Sequence, residues 1–252
     1  MKNIKASILL MSCLFGLTLS ASAHKPKPTP DKGFVVVELF TSEGCSSCPP
    51  ADELVAKVQK EYQNQPVYIL AYHVDYWNRL GWKDVFSNAD YSKRQTDYAK
   101  NLHLSSVYTP QIVVNGQKEF VGSEDGTLHN AIKAGLGKQA SAQLVLSDIK
   151  SNGSQVTVNY HTNSTAKYSE VVFALVQKSA QTNVKAGENQ GHILSHVQIV
   201  RDLKRSTAKN GSNTLLIPKG VNPQSVEVIA FIQDTATGEI IGAAKQAILP
   251  AA

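Results

Sequence analysis

Phe34-Val35-Val36-Val37-Glu38-Leu39-Phe40-Thr41-Ser42-Glu43-Gly44-Cys45-Ser46-Ser47-Cys48-Pro49-Pro50-Ala51-Asp52 is the stretch whose reading decides the fold. Phe34 to Phe40 form a nearly continuous β-branched and aromatic run, the pattern of a strand covered on both faces. Beyond the motif, Leu54, Val55, Val58 and Tyr62 recur at helical spacing. Two cysteines separated by two residues stand between strand and helix. Pro49 and Pro50 lack backbone N–H groups and disfavour helical geometry in the residue before them, so the helix is predicted to begin with Cys48 at its cap. The first N–H groups of a helix have no partner anyway, so prolines cost nothing there. Cys45 then faces the positive end of the helix, which favours the thiolate, the attacking species.

Working outward, Pro66 to Val74 reads as a second buried strand, and strand, helix and strand make a right-handed parallel unit. A polar helix follows from about Asp90 to Leu102. Thr109-Pro110 opens a third strand, Gln111 to Val114. Asn115-Gly116 tolerates the positive φ of a type I′ turn and returns the chain through Lys118 to Val121. Leu128, Ile132 and Leu136 mark a closing helix capped near Gly137. From about Ser141 the pattern changes to alternating strands: Gln143 to Leu146, Gln155 to Tyr160, Glu170 to Val176, His196 to Leu203, Asn213 to Pro218, Ser225 to Gln233 and Ile240 to Leu249. Asn152-Gly153 and Asn210-Gly211 read as their turns. Short strands without a helical stretch predict an all-β sandwich.

The chain has 252 residues, long enough for two ordinary cores. Its start reads as a secretory signal over residues 1–23: a basic beginning with Lys2 and Lys5, an apolar run from Ala6 to Leu19, and Ala21-Ser22-Ala23 for cleavage after Ala23. Cys13 as a lipidation site is the weaker reading, because the apolar run continues past it through Leu17. The apolar stretch is also short of the ~20 residues a membrane span needs. Residues 24–32 form a proline-rich leader, 33–140 an α/β domain and 141–252 the sandwich. A periplasmic or secreted location follows, with no stable membrane insertion once the signal is cleaved. Cleavage lowers the formal net charge from +5 to +3, because it removes Lys2 and Lys5 and no acid. The remaining basic residues are scattered, without the aromatic-studded patch of a nucleic-acid surface. Of three cysteines, Cys45 and Cys48 alone remain in the mature chain. A bridge across so short a loop stabilises little, so the pair points to chemistry rather than stapling.

The order β-α-β-α-β-β-α over about Gly33 to Gly137 resembles the thioredoxin fold, so the expected architecture is an α/β thioredoxin-like domain followed by an all-β sandwich domain. Two motifs are narrower: the stretch from Val37 to Asp52, and His73-Val74-Asp75-Tyr76-Trp77 with Gly81-Trp82-Lys83-Asp84. They resemble a bacterial family of secreted, thioredoxin-like proteins of unknown function. The resemblance identifies the family, and the reaction only by analogy.

The expected activity is that of a thiol:disulfide oxidoreductase acting on a protein or small thiol together with a redox partner. Its cofactor is the Cys45–Cys48 disulfide itself. Cys45 is the exposed nucleophile and Cys48 the resolving thiol. Ser46 and Ser47 donate hydrogen bonds to the Cys45 sulfur and make the disulfide more oxidising. The resemblance implies that Pro110 is cis and packs beside the cysteines, freeing Thr109 to pair with an extended substrate; the bland alternative is a trans proline starting a strand. It also places a buried, proton-moving acid near Glu38. The offset of Glu38 from Cys45 is one residue too long, which turns a strand side chain to the other face unless the loop absorbs it. Glu43 reads as a solvated loop acid. Tyr72, Tyr76, Trp77, Trp82 and Phe86 read mostly as core, with Trp77 a candidate for lining a substrate groove.

Two alternatives stay open. Cys45, Cys48 and His73 could hold copper or zinc in a metal-delivery protein, although copper-delivery relatives of the fold separate their cysteines by three residues. A non-catalytic binding module would keep its cysteines oxidised. His192 and His196, with Glu188 nearby, have no third ligand in a convincing pattern and read as structural.

Overall fold

In the computed structural model, which describes residues 33–248, Val35 to Thr41 form β1, and every residue of it is buried. The chain continues as α1 (Pro49–Glu61), β2 (Val67–His73), α2 (Ala89–Asn101), the hairpin of β3 (Gln111–Val114) and β4 (Lys118–Val121), and α3 (Asp125–Leu136). The remaining strands are β5 (Leu144–Ser151), β6 (Gln155–Thr162), β7 (Ser169–Asn183), β8 (Ile193–Ser206), β9 (Asn210–Leu216), β10 (Val226–Asp234) and β11 (Ile240–Ala247). Alternation along β1 explains its complete burial. Val35, Val37 and Leu39 pack with α1 and α3 on one face; Val36 and Phe40 pack with Tyr91 and Tyr98 of α2 on the other. At the β3–β4 turn, Asn115 and Gly116 take φ of 49° and 68°, as the turn requires.

β1 pairs in parallel with β2 and antiparallel with β3, but β2 is not the end of the sheet. β8 runs parallel to β2, with Ala71 opposite Ile199. β7, β10 and β11 then extend the sheet by antiparallel pairing. The result is one eight-stranded mixed sheet in the order β11-β10-β7-β8-β2-β1-β3-β4, with β5, β6 and β9 in a separate three-stranded sheet. This overturns the expected architecture of a small βαβαββα thioredoxin-like domain followed by a sandwich. Alternation in a strand records which side chains are buried, but not which strand its backbone pairs with. The small sheet therefore packs on the outer half of the same large sheet.

Two further details depart from expectation. β7 and β8 are 15 and 14 residues long, so their hairpin reaches well beyond the runs that the pattern marks. Asn210-Gly211 lies within β9 rather than in a turn. Asn152-Gly153 does turn β5 into β6, with the Asn152 side chain accepting from the N–H groups of Ser154 and Gln155. Residues 1–32, with the expected signal, Cys13 and the proline-rich leader, lie outside the described residues. No helix among the described residues is long and apolar enough to cross a membrane.

The buried core crosses the whole sheet. One cluster joins Phe40 and Tyr72 to Val172, Ala174 and Phe231. Another sets Val156, Val158 and Leu215 of the small sheet against Phe173, Leu175 and Val228 of the large one. Within the first cluster lies an ion pair. Arg94 of α2 donates from Nε and Nη2 to the two carboxylate oxygens of Glu38, at 2.6 and 3.0 Å. Its Nη1 donates to Gln233 of β10 at 3.0 Å, and the Tyr98 hydroxyl also donates to Glu38. The side chains of Arg94 and Glu38 are 3% and 0% exposed, so each charge depends on the other. Arg94→Met leaves the Glu38 carboxylate buried and unpaired and is expected to cost about 3–5 kcal/mol of stability. Urea denaturation followed by circular dichroism and by tryptophan fluorescence measures that loss. The shared core is expected to make the two transitions coincide.

Candidate functional site

After β1 the chain tightens into a turn. The Cys45 N–H donates to the Ser42 carbonyl and the Cys48 N–H to the Cys45 carbonyl, both at 3.2 Å. Cys45 and Cys48 are joined in a disulfide. Cys48 caps α1 with both prolines in its first turn, and the N–H groups of Ala51 and Asp52 turn back to the Cys48 carbonyl. Ser47 Oγ lies 3.4 Å from Cys45 Sγ. Ser46 faces elsewhere: its N–H donates to Glu188 at 2.9 Å.

Cys45 is not exposed, as its expected role required; both cysteines have no accessible surface. Residues 184–192, the connection between β7 and β8, lie against the motif. The buried Asn189 side chain donates to the carbonyls of Glu43 and Cys45 at 2.9 and 3.0 Å. With Glu188 on Ser46, this connection is held directly to the backbone of the motif.

The Thr109-Pro110 bond is cis. A Cβ placed on Gly122 would lie 3.0 Å from Pro110 Cβ and 3.1 Å from Ala51 Cβ, so Pro110 sits against the first turn of α1 with only a glycine between them. Thr109 Oγ1 accepts from Trp77 Nε1 at 2.8 Å. Trp77 in turn stands beside Gly44, whose added Cβ would meet Trp77 Cβ at 3.1 Å. Cys45, Cys48, Ser47, Trp77, Thr109 and Pro110 therefore share one locality. Glu38 does not join them: it points to the α2 face, paired with Arg94, and the loop does not absorb the extra residue. The acid on the cysteine side is Asp52, one helical turn after Cys48.

Asp52 belongs to a buried polar cluster behind the motif. It accepts from Thr41 Oγ1 at 2.9 Å. His196 of β8 stands between two carboxylates, with Nδ1 3.5 Å from Asp52 Oδ1 and Nε2 3.5 Å from Glu43 Oε1. These are ion-pair distances, and neither ring nitrogen has a hydrogen-bond partner. Burial works against the imidazolium, but the carboxylates of Asp52 and Glu43 outweigh it and raise the His196 pKa to about 9. Glu43, expected in solvent, is fully buried, and its Oε2 accepts from Trp82 Nε1 at 2.7 Å. His73 Nδ1 lies 2.7 Å from Asp84 Oδ2. Burial pushes the Asp84 pKa up, but His73 and the backbone N–H groups of Glu43 and Phe86 prevail and leave it lowered. The His73 and His196 rings meet edge to face, 4.8 Å between centroids, and Phe86 packs on both.

His196 and Glu188, read from the sequence as structural, are thus brought beside the cysteine motif. Asp52, His73 and Asp84 all stand inside the motifs that the sequence marks. Nothing in the local pattern links them to His196, which lies more than a hundred residues away and arrives only through the β2–β8 pairing. His192, by contrast, is exposed.

The fold is shared with a crystal structure of protein AGR_C_4864 from Agrobacterium tumefaciens. That protein is 28% identical, the alignment covers 88% of this chain and 96% of that one, and the TM-score is 0.63. A crystal structure of β-glucosidase from Kluyveromyces marxianus also aligns, at 11% identity over 44% of this chain and 14% of that one, but its TM-score of 0.19 carries no argument. No curated protein matches the chain. A family model described as a protein of unknown function, DUF1223, matches residues 36–233, a span that holds the cysteine turn, Pro110 and the whole histidine–carboxylate cluster. The chain belongs to this family of unknown function.

Proposed function

We propose that the protein is an exported thiol:disulfide oxidoreductase working through Cys45 and Cys48. The observation that carries this reading is a disulfide at the N-terminus of α1 whose Cys45 sulfur has the Ser47 hydroxyl within reach. A substrate thiolate attacks Cys45 Sγ; the S–S bond breaks and Cys48 leaves as a thiolate at the positive helix end. A second substrate thiolate attacks the substrate sulfur of the mixed disulfide and releases Cys45 as a thiolate. The substrate dithiol loses two electrons and two protons, and the protein gains the electrons; an external oxidant of the disulfide class restores the starting state. Run backwards, the same steps reduce a disulfide. Trp77 and Thr109, hydrogen-bonded to each other beside the cysteine turn, are where an extended substrate segment would lie. A location outside the reducing cytosol fits such a disulfide.

Complete burial of both cysteines favours a second reading, a binding module whose disulfide stays closed. Turnover separates the two. In insulin reduction and in refolding of a reduced disulfide protein, activity is expected from the wild type and none from Cys45→Ser, while Cys48→Ser accumulates a mixed disulfide. Absence of turnover in the wild type in both assays selects the closed module.

The connection held against the motif leads to a kinetic expectation. Asn189→Ala removes two buried hydrogen bonds, worth about 1 kcal/mol each. The Cys45–Cys48 bond of this variant is expected to be reduced by dithiothreitol roughly 5- to 30-fold faster than in the wild type, as followed by thiol alkylation over time. Ser47→Ala withdraws a donor from the Cys45 thiolate and is expected to make the disulfide less oxidising by about 30 mV, measured by equilibration with glutathione.

A further inference from the structure

We propose that Asp52, His73 and His196 form a binding site for a divalent transition metal of the zinc type, separate from the two sulfurs. One ligating atom from each of these residues lies within 4.8 Å of the other two, and all three side chains are buried. His73 offers Nε2, since its Nδ1 faces Asp84 at 2.7 Å, and that Nε2 is a buried atom without a partner. His196 offers Nδ1, 3.5 Å from Asp52 Oδ1, and its Nε2 faces Glu43. Both histidine nitrogens are likewise buried and unpartnered.

The arrangement has the two layers that a metal site needs. A ligating histidine ordinarily carries a carboxylate or carbonyl on its other ring nitrogen, which fixes the ring and raises its basicity. His73 has Asp84 hydrogen-bonded at its Nδ1, and Glu43 stands 3.5 Å from His196 Nε2, at ion-pair rather than hydrogen-bond distance. The outer carboxylates are themselves held, Asp84 by the N–H groups of Glu43 and Phe86 and Glu43 by Trp82. Three buried carboxylates stand around the two imidazoles, so a bound cation meets negative charge on several sides. Among the described residues no lysine or arginine forms an ion pair with Glu43, Asp52 or Asp84.

Size and access agree. Ligands at about 2.1 Å from a tetrahedral zinc stand about 3.4 Å apart, so these atoms need to draw together by at most about 1.4 Å. A cleft of about 110 Å³, lined by Pro49, Glu53, Ile193, Leu194 and Ser195, opens onto Asp52 and His196 and provides an entry path. Two histidines and one aspartate leave a fourth position for water or an incoming ligand. The two imidazoles, one carboxylate and borderline-soft donor set suit zinc rather than magnesium or calcium.

This inference does not rest on the redox reading, and the experiment keeps them apart. The full chain with its disulfide intact, and the Cys45→Ser/Cys48→Ser double variant, are titrated with Zn(II) in competition with a chromophoric chelator. Both are expected to bind one zinc per chain. His73→Gln, His196→Gln and Asp52→Asn are each expected to lose at least 100-fold in affinity. Zinc is expected to raise the Tm of the wild type and of the cysteine variant but not of these three. X-ray absorption of the zinc-loaded wild type is expected to show imidazole and oxygen scattering without sulfur, and it decides the matter even if a variant fails to fold. The proposal is overturned by the absence of stoichiometric zinc in the oxidised chain, by retention of affinity without His73 or His196, by loss of zinc with the cysteines, or by sulfur in the zinc shell. Turnover in the thiol assays moves none of these readouts.

Discussion

The parallel alignment of β8 with β2 is the constraint on which the rest of the molecule depends. It closes the open edge of the strand that ends in His73 and fuses what would be two sheets into one. Strands of 15 and 14 residues carry the β7–β8 hairpin beyond its pairing with β2, and the β8 arm from Ile193 to His196 lines a cleft with Pro49, Asp52 and Glu53 of α1. There the hairpin delivers three things at once: His196 into the buried cluster, Asn189 onto the backbone of the cysteine turn, and Glu188 onto Ser46. The C-terminal half is therefore part of the site.

Parity along β1 decides which acid serves which purpose. Thr41 shares the α1 face with Val37 and Leu39, and from there its hydroxyl reaches Asp52. Glu38 is one residue out of step with that series and faces α2, where only a matched cation makes its burial tolerable. Arg94 supplies it and binds Gln233 of β10 as well, so the charge that a strand would otherwise reject becomes a tie across the sheet. One strand thus presents a structural acid on one face and a hydroxyl that orients a site acid on the other.

The legible parts were those governed by local chemistry. Consecutive prolines can begin a helix but not continue one, so the start of α1 at Cys48 was readable, as was the Asn115-Gly116 turn. The change of pattern near Ser141 was equally visible, but it misled. It marks where helices stop, whereas the sheet continues through strands whose partners are distant in sequence. A half-buried strand has the same alternation whether it belongs to its own sandwich or extends a neighbour's sheet. For the same reason His196 read as an ordinary strand residue, and Glu43 as a solvated loop acid: what buries both is the other half of the chain. Loop residues such as Asn189 carry no periodic signal, and their role rests entirely on two backbone carbonyls that the sequence does not reveal.

The polar cluster is hard to explain as a contribution to stability. Glu43 Oε1, His73 Nε2 and both nitrogens of His196 are buried without a hydrogen-bond partner. Each such group costs roughly 1–3 kcal/mol against a satisfied one, and well-packed apolar side chains of similar volume would avoid that cost. By contrast, the Arg94–Glu38 pair meets all its needs within a few ångströms, on the opposite face of the same strand. Two buried charged assemblies so near each other, one saturated and one with open valences directed inward, follow different rules. The saturated one holds the fold; the open one keeps unpartnered nitrogens of His73 and His196 close to Asp52, and a ligand there would remove the deficit that packing leaves in place.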